Sequence, residues 1–296
     1  MNKFSILIPT WNNLEMLKLC VRSIEQNSTF EHQILIYVND GSDGTLQWVQ
    51  DRGLQYLHSR CNVGVCLALN ALRSLVDTPY IAYANDDMYV LPDWDLYLWR
   101  EIESRSDNMF FLSSTLIQPR PFYCKSVIAP CDFGQSVASF REQDLLDQYT
   151  KFEHSDWYGA TWPLNVVHRD LWDLVGGYSI DFSPGMYSDP DFSAKLYMVG
   201  VRYFRGVSAS RVYHFEASST ARVEKNKGSR QFLAKWGITS NSFVTNILRR
   251  GQRVDDLKPS ASVDVAGLRR SLMRSRFKRF VTSAKDVGTA TNLYEI

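Results

Sequence analysis

Along the first hundred residues, short apolar runs alternate with segments whose apolar positions recur every three or four residues. The run Phe4-Ser5-Ile6-Leu7-Ile8 predicts a buried strand that Pro9 stops. Asn12 or Asn13 can then cap a helix that carries Leu14, Leu17, Val21 and Ile24 on one face. Ile34 to Val38 predicts a second strand, and the polar turn Asn39-Asp40-Gly41-Ser42 leads into a helix through Leu46 and Val49. Leu54 to Leu57 is a short third strand. Asn62-Val63-Gly64 opens a helix with Leu67, Leu69, Leu72 and Leu75, and Tyr80 to Ala84 is a fourth strand. This alternation predicts an α/β fold: a mostly parallel sheet with crossover helices on its faces.

The period is lost from Phe110 to Leu164, a stretch rich in aromatics that predicts long loops over the sheet's open side. Order returns with a strand at Asn165 to Val167. A helix through Leu171, Leu174 and Val175 stops at Gly176-Gly177, and another runs from Pro190 to Val199 with Gly200 behind it. Strands follow at Val201 to Phe204 and Arg211 to Phe215. The core domain is expected over 1–244, closing between Trp236 and Val244, with 245–296 as a basic tail.

Composition narrows this picture. With 296 residues and 45% hydrophobic side chains the chain can build a sizeable core, which excludes a disordered polymer. The net charge of +1 hides an asymmetry, because from Thr245 onward 11 Lys/Arg face 5 Asp/Glu while the preceding residues hold 22 against 27. No chain-wide field favours nucleic acid. No apolar run nears the roughly 20 residues of a membrane-spanning helix, and the apolar part of the N-terminus is too short for a signal peptide. Five cysteines with no CxxC pair suggest neither a disulfide framework nor zinc, so a reducing, cytoplasmic compartment is expected.

In open parallel sheets ligands bind beyond the carboxyl ends of the strands. Here those ends carry Pro9-Thr10-Trp11, Asn39-Asp40-Gly41-Ser42 and Asn85-Asp86-Asp87, and none carries GxGxxG or GxxxxGK[ST], which disfavours a dinucleotide fold and a P-loop. Paired carboxylates after a buried strand suit a hard divalent cation, Mg²⁺ or Mn²⁺; they equally suit a solvated Asn-Asp turn. Asp40 can accept hydrogen bonds from a nucleobase edge or ribose, or it can serve the turn beside Asp43. Trp11 can stack on a base or pack.

Taken together, four segments resemble family-2 glycosyltransferases of the GT-A fold: Phe4-Ser5-Ile6-Leu7-Ile8-Pro9-Thr10-Trp11-Asn12, Val38-Asn39-Asp40-Gly41-Ser42-Asp43-Gly44-Thr45, Asn62-Val63-Gly64 with Ala68 and Asn70, and Tyr83-Ala84-Asn85-Asp86-Asp87. Downstream, Val167-His168-Arg169-Asp170, Val175-Gly176-Gly177-Tyr178, Ser188-Asp189-Pro190-Asp191-Phe192 and Val212-Tyr213-His214-Phe215 are similar to that family's acceptor-side half. The resemblance spans roughly residues 3 to 220. It implies that Pro9, Thr10 and Trp11 line a nucleobase pocket with Asp40 on the base, and that Asn62, Gly64, Asn85 and Asp86 lie along the nucleotide sugar. It implies further that Asp87 and His214 hold the cation bridging a diphosphate. A structural, hydrogen-bonded role for His214 stands beside this. Asn85 departs from the Asp that many members carry at the first position of the DxD-type motif, and Ser188-Asp189 stands where the family has Glu-Asp.

Glycosyl transfer needs an acceptor hydroxyl deprotonated as it attacks, and Asp189 is the candidate base, with Asp191 in reserve. Ser188 or Asp189 could instead cap the helix that Pro190 begins, and Asp191 complement its dipole. Trp157, Tyr158 and Trp162 are candidates for an acceptor platform, because sugars stack their apolar faces on aromatic rings; packing is the alternative. In the tail, Leu268, Leu272, Met273, Phe277, Phe280 and Val281 recur at helical spacing between six cations. The segment 262–285 is therefore read as a basic amphipathic helix that contacts a membrane surface, or else packs on the catalytic domain or a second subunit.

The reading is an inverting, Mn²⁺- or Mg²⁺-dependent glycosyltransferase. Its donor would be a nucleotide-diphosphate sugar, a UDP-sugar before others, and its acceptor the hydroxyl of a glycan or lipid-linked glycan. A binding protein on a degenerate transferase fold and a sugar nucleotidyltransferase are the rivals; the latter would want a Gly-rich basic loop where Pro9-Thr10-Trp11-Asn12-Asn13 stands.

Overall fold

The computed structural model describes residues 2–216, 226–255 and 265–281. In chain order it contains β1 (Phe4–Trp11), α1 (Leu14–Asn27), β2 (Gln33–Asn39), α2 (Thr45–Asp51), β3 (Gln55–Ser59), α3 (Gly64–Leu72), β4 (Tyr80–Tyr83), β5 (Met88–Val90) and α4 (Trp94–Glu103). There follow β6 (Phe110–Ile117), β7 (Val127–Ile128), α5 (Glu142–Gln148), β8 (Trp157–Tyr158), β9 (Asn165–His168) and α6 (Arg169–Val175). The last elements are α7 (Ser188–Met198), β10 (Tyr203–His214), α8 (Gly228–Trp236), α9 (Ser240–Ser242) with a π-turn at Phe243–Ile247, and α10 (Val265–Val281). The main sheet path is β3-β2-β1-β4-β9-β6-β10-β5. β1 to β4 are mutually parallel, β9 inserts antiparallel between β4 and β6, and β10 runs parallel to β6.

Side chains alternate across each strand, so each face of the sheet gathers its own core. Leu7, Leu35, Ile81 and Phe111 pack under α3, α6, α7 and α8, whereas Phe4, Ile6, Ile8, Ile36 and Val38 pack with Leu17, Val21, Val49 and Leu98 of α1, α2 and α4. The result is three layers, with helices on both faces of one sheet.

The structure corrects several sequence expectations. Pro9 does not stop β1: it pairs with Tyr37 of β2, and the other neighbour, β4, ends opposite Leu7. On that side β1 is an edge, so the missing N–H costs no ladder bond. Neither Asn12 nor Asn13 caps α1 with its side chain; Asp43, from the turn after β2, accepts from Leu14 N at 2.9 Å and also from Thr45 N at 3.0 Å. One carboxylate thus opens both helices. The stretch expected to be loop contains β6, every residue of which is buried. Its polar residues hide the pattern because each finds a partner: Ser113 bonds Trp162 O, Ser114 bonds Ser210 and Thr115 bonds Val207 O. The two strands expected at Val201 to Phe204 and Arg211 to Phe215 are one bent strand, β10, whose register shifts between Val207 and Arg211. β5 and α4 escaped the sequence reading altogether.

Candidate functional site

At the carboxyl end of the parallel strands lies a cavity of about 480 Å³. β1 brings Pro9, Thr10 and Trp11, β2 brings Asn39, and the turn after β4 brings Asn85, Asp86 and Asp87. Asn62 and Gly64 enter at the start of α3, Asp189 in the first turn of α7, and His214 at the end of β10. Of the nucleotide-side and catalytic candidates, Asp40 and Asp191 do not line the wall.

A set of hydrogen bonds fixes the strand ends against one another. Thr10 Oγ1 donates to Asp86 at 2.7 Å, and Asn39 Nδ2 donates to Thr10 O at 3.1 Å while its Oδ1 accepts from Val63 N at 2.9 Å. Tyr83 OH donates to Asn85 Oδ1 at 2.7 Å. Asp40 stands beside the wall at φ 63°, its carboxylate taking a bond from Asn12 Nδ2 at 2.8 Å. Any larger residue at Gly64 is strained: its φ is +81°, and a Cβ there would meet Pro184 Cα at 2.8 Å.

Asp87 and His214 face each other with Oδ1 and Nε2 3.4 Å apart, and Asp87 is nearly buried. Burial alone would lower the His214 pKa; the Asp87 charge and hydrogen bond outweigh it and raise the value. Gln118 donates from Nε2 to His214 Nδ1 at 2.8 Å, which leaves Gln118 Oε1 buried without a partner. That orphan is a test of fit for a cation. If the two ends of the amide exchange places, Gln118 Oε1 accepts from His214 Nδ1–H, and the lone pair of His214 Nε2 would be free for a metal beside Asp87. A carboxylate oxygen and an imidazole suit Mn²⁺ or Mg²⁺, which keep most positions for diphosphate oxygens and water. Among the described residues no group of three His, Cys, Asp or Glu forms a complete protein cage. A site shared with substrate phosphates needs none.

Across the cavity, half-buried Asp189 has its pKa pushed up to about 7 by desolvation, with a hydrogen bond from Tyr178 opposing. Tyr178 OH lies 3.4 Å from Asp189 Oδ1, and its own burial holds it protonated, as a donor. A carboxylate so poised can hold or release a proton near neutrality. Neither Ser188 nor Asp189 caps α7; Tyr187 occupies that position without a side-chain bond, and Ser188 Oγ donates to Gly185 O instead. Asp191 is fully buried, gripped at 2.8 Å by both Trp236 Nε1 and Lys235 Nζ, and turned toward α8.

The aromatic platform candidates stand elsewhere. Trp157 is buried against Gly206 with its indole N–H on Thr115 Oγ1 at 2.9 Å, Tyr158 lies under Arg249, and Trp162 contacts Phe122 and Arg250. Sequence reasoning missed Arg120, Met186, Tyr83 and Glu216, which line the cavity, and Tyr178 behind Asp189. Tyr83 and Tyr178 lie inside family-like motifs that assign them no role and Glu216 directly follows one, whereas Arg120 and Met186 lie in loops that carry no periodic signal.

The family model described as "Glycosyl transferase family 2" matches residues 5–159. No curated protein matches the chain. Among solved structures the fold is similar to residues 1–349 of S. aureus TarS, with TM-score 0.55 and 14% identity over 99% of this chain and 76% of that one. It is similar also to GalNAc-T7 crystallised with UDP, GalNAc and Mn²⁺, with TM-score 0.58 and 13% identity over 96% of this chain and 57% of that one. TarS 1–349 in complex with UDP gives TM-score 0.54 at 14% identity over 96% of this chain and 73% of that one.

Proposed function

The chain belongs to glycosyl transferase family 2, and we propose that its cleft transfers a sugar, with inversion, from a nucleotide-diphosphate donor to an acceptor hydroxyl. The fold is GT-A and the enzyme class is glycosyltransferase. One observation carries the finer reading: a carboxylate-imidazole pair, Asp87 and His214, and a carboxyl with a pKa of about 7, Asp189, line the same cavity.

In this reading Pro9, Thr10, Trp11 and Asn39 receive the nucleotide, Asp40 supports the base-side loop through Asn12, and Asn62, Gly64, Asn85 and Asp86 flank the sugar and first phosphate. Asp87 and His214 would hold Mn²⁺ or Mg²⁺, whose charge neutralises the departing diphosphate. Asp189 accepts the proton of the acceptor hydroxyl as its oxygen bonds the anomeric carbon and the bond to the diphosphate breaks on the opposite face. Asp189 is held for this by the Tyr178 hydroxyl. The donor class is supported by the two similar structures that hold UDP, and a UDP-sugar is therefore tried first.

The catalytic domain is proposed over 1–244 and the tail over 245–296. In α10 the single apolar stripe expected from spacing is split. Leu272 packs on the core and Ser275 is buried, whereas Met273 and Phe277 are 67% and 71% exposed amid Arg269, Arg274 and Arg276. The side chains of Leu268, Phe280 and Val281, and residues 262–264 and 282–285, lie outside the described residues. We place the outward face of α10 on an anionic membrane surface at the cytoplasmic side, with a lipid-linked glycan as acceptor; no described helix is long and apolar enough to cross a membrane. The test of the transferase reading is a panel of nucleotide sugars with Mn²⁺, read by nucleotide release. One donor is expected to be hydrolysed, and a panel with neither binding nor release would sink it.

A further inference from the structure

A second cavity, of about 760 Å³, opens beside the first. The two share a loop. Gln118 contacts His214, Arg120 lines the first cavity, and Phe122 to Lys125 line the second, so at most about 7 Å of chain separates Arg120 from Phe122. The opposite wall comes from Arg250, Gly251, Gln252 and Arg253. Lys125, Arg250 and Arg253 give this space three cations, and among the described residues no carboxylate lines it and none of the three is held in an ion pair.

The wall is built rather than incidental. Arg250 lies over the Trp162 ring at 4.0 Å, Trp162 meets Phe122 edge to face at 5.3 Å, and Gly251 has φ +81° with room for no Cβ, since one would meet Cys124 Sγ at 2.8 Å. Arg250 Nε is buried with no hydrogen-bond partner. Burial also holds the Arg250 pKa below its ordinary value, with Cys124 opposing. A half-buried guanidinium whose Nε reaches neither water nor a partner, and which has no counter-charge, carries a cost that negative charge in the cavity relieves. Tyr123, fully exposed at the rim, offers a ring for a sugar face.

We propose that this second cavity binds an acidic group of the acceptor, a phosphodiester or a carboxylate, next to the hydroxyl that is glycosylated. The identity of the ligand as an acceptor rests on the transferase reading; the anion site itself does not. Trp162, expected from sequence to form an acceptor platform, then serves by fixing Arg250.

The test measures binding without turnover. Tripolyphosphate, an oligogalacturonate and a neutral oligosaccharide of the same length are titrated calorimetrically into the full chain in EDTA at low salt. The same titrations are made on Lys125→Glu/Arg253→Glu, whose side chains are exposed, and on Arg250→Gln. At least one anion is expected to bind the wild type and to weaken about tenfold or more in the double variant, while the neutral sugar does not discriminate and UDP affinity with Mn²⁺ is unchanged. Binding of tripolyphosphate alone identifies a phosphate-bearing acceptor, of oligogalacturonate alone a uronate-bearing one, and of both a site for charge. If neither anion binds, or if both variants bind as the wild type does, the site does not exist and any affinity belongs to the cations of α10. Loss of anion binding in the variants together with an inert donor panel would leave the anion site standing and remove the transferase reading.

Discussion

Replacing Asp189 with Asn deletes a proton acceptor while keeping size and most hydrogen-bonding shape. In the wild type, burial lifts this carboxyl from the usual 3.8 to about 7, so at pH 6 only roughly a tenth of the molecules hold it ionised. Turnover should therefore rise nearly tenfold per pH unit up to about 7 and then level. Asp189→Asn should lower turnover by about 10²–10⁴-fold and abolish that rise, with donor affinity retained. Stability should move the other way. A carboxyl whose folded-state pKa lies above its unfolded value loses stability as pH climbs between the two, here from about 4 to about 7, and the loss is complete above 7. A rise of this size corresponds to at most about 4 kcal/mol, and water entering the cleft reduces it to about half or less. The variant should thus melt higher than the wild type at pH 8 and equally at pH 4. Nucleotide release from pH 5.5 to 8.5, with thermal melts at both ends, reads all of this. A variant near wild-type rate, or one whose turnover still climbs through pH 7, would refute the assignment. An inert Asp191→Asn beside an active Asp189→Asn would move the role to Asp191.

Tyr178→Phe removes the hydroxyl that lowers the Asp189 pKa, so the acidic limb of the rate profile should shift to higher pH; an unmoved limb would show that the 3.4 Å contact is not made. Gly64→Ala forces a Cβ within 2.8 Å of Pro184 Cα at a positive φ and should cost about 1–3 kcal/mol, visible as a lower melting midpoint and weaker UDP binding. Met273→Ser with Phe277→Ser should remove salt-sensitive co-sedimentation with anionic vesicles and leave the melt unchanged, because both side chains are exposed. Equal sedimentation of the two forms would assign α10 to another role.

What the sequence made legible follows from periodicity. The strand-helix alternation through β4 was visible because β1, β2 and β4 are predominantly apolar runs between helices with one buried face, and the acidic residues at their ends stood out against the glycines of nucleotide folds. Asp87, His214 and Asp189, far apart in sequence, did meet in one cavity. β6 stayed hidden because Ser113, Ser114 and Thr115 satisfy their hydroxyls inside the core. Arg120 was invisible because an irregular loop places it, and long-range closure alone decides where such a loop lies. Trp157 and Trp162 show the converse: a conspicuous residue type on an uninterpretable stretch says little about which cavity it serves.

The central claim is that Asp87 and His214 hold a cation against the diphosphate of the donor. It is tested most directly by the affinity of UDP measured calorimetrically with Mn²⁺ and with EDTA, in the wild type and in Asp87→Ala. Mn²⁺ should tighten UDP by about tenfold or more, some 1.4 kcal/mol, in the wild type and have no effect in the folded variant. UDP binding that ignores EDTA, or an Mn²⁺ effect that survives Asp87→Ala, would contradict the claim.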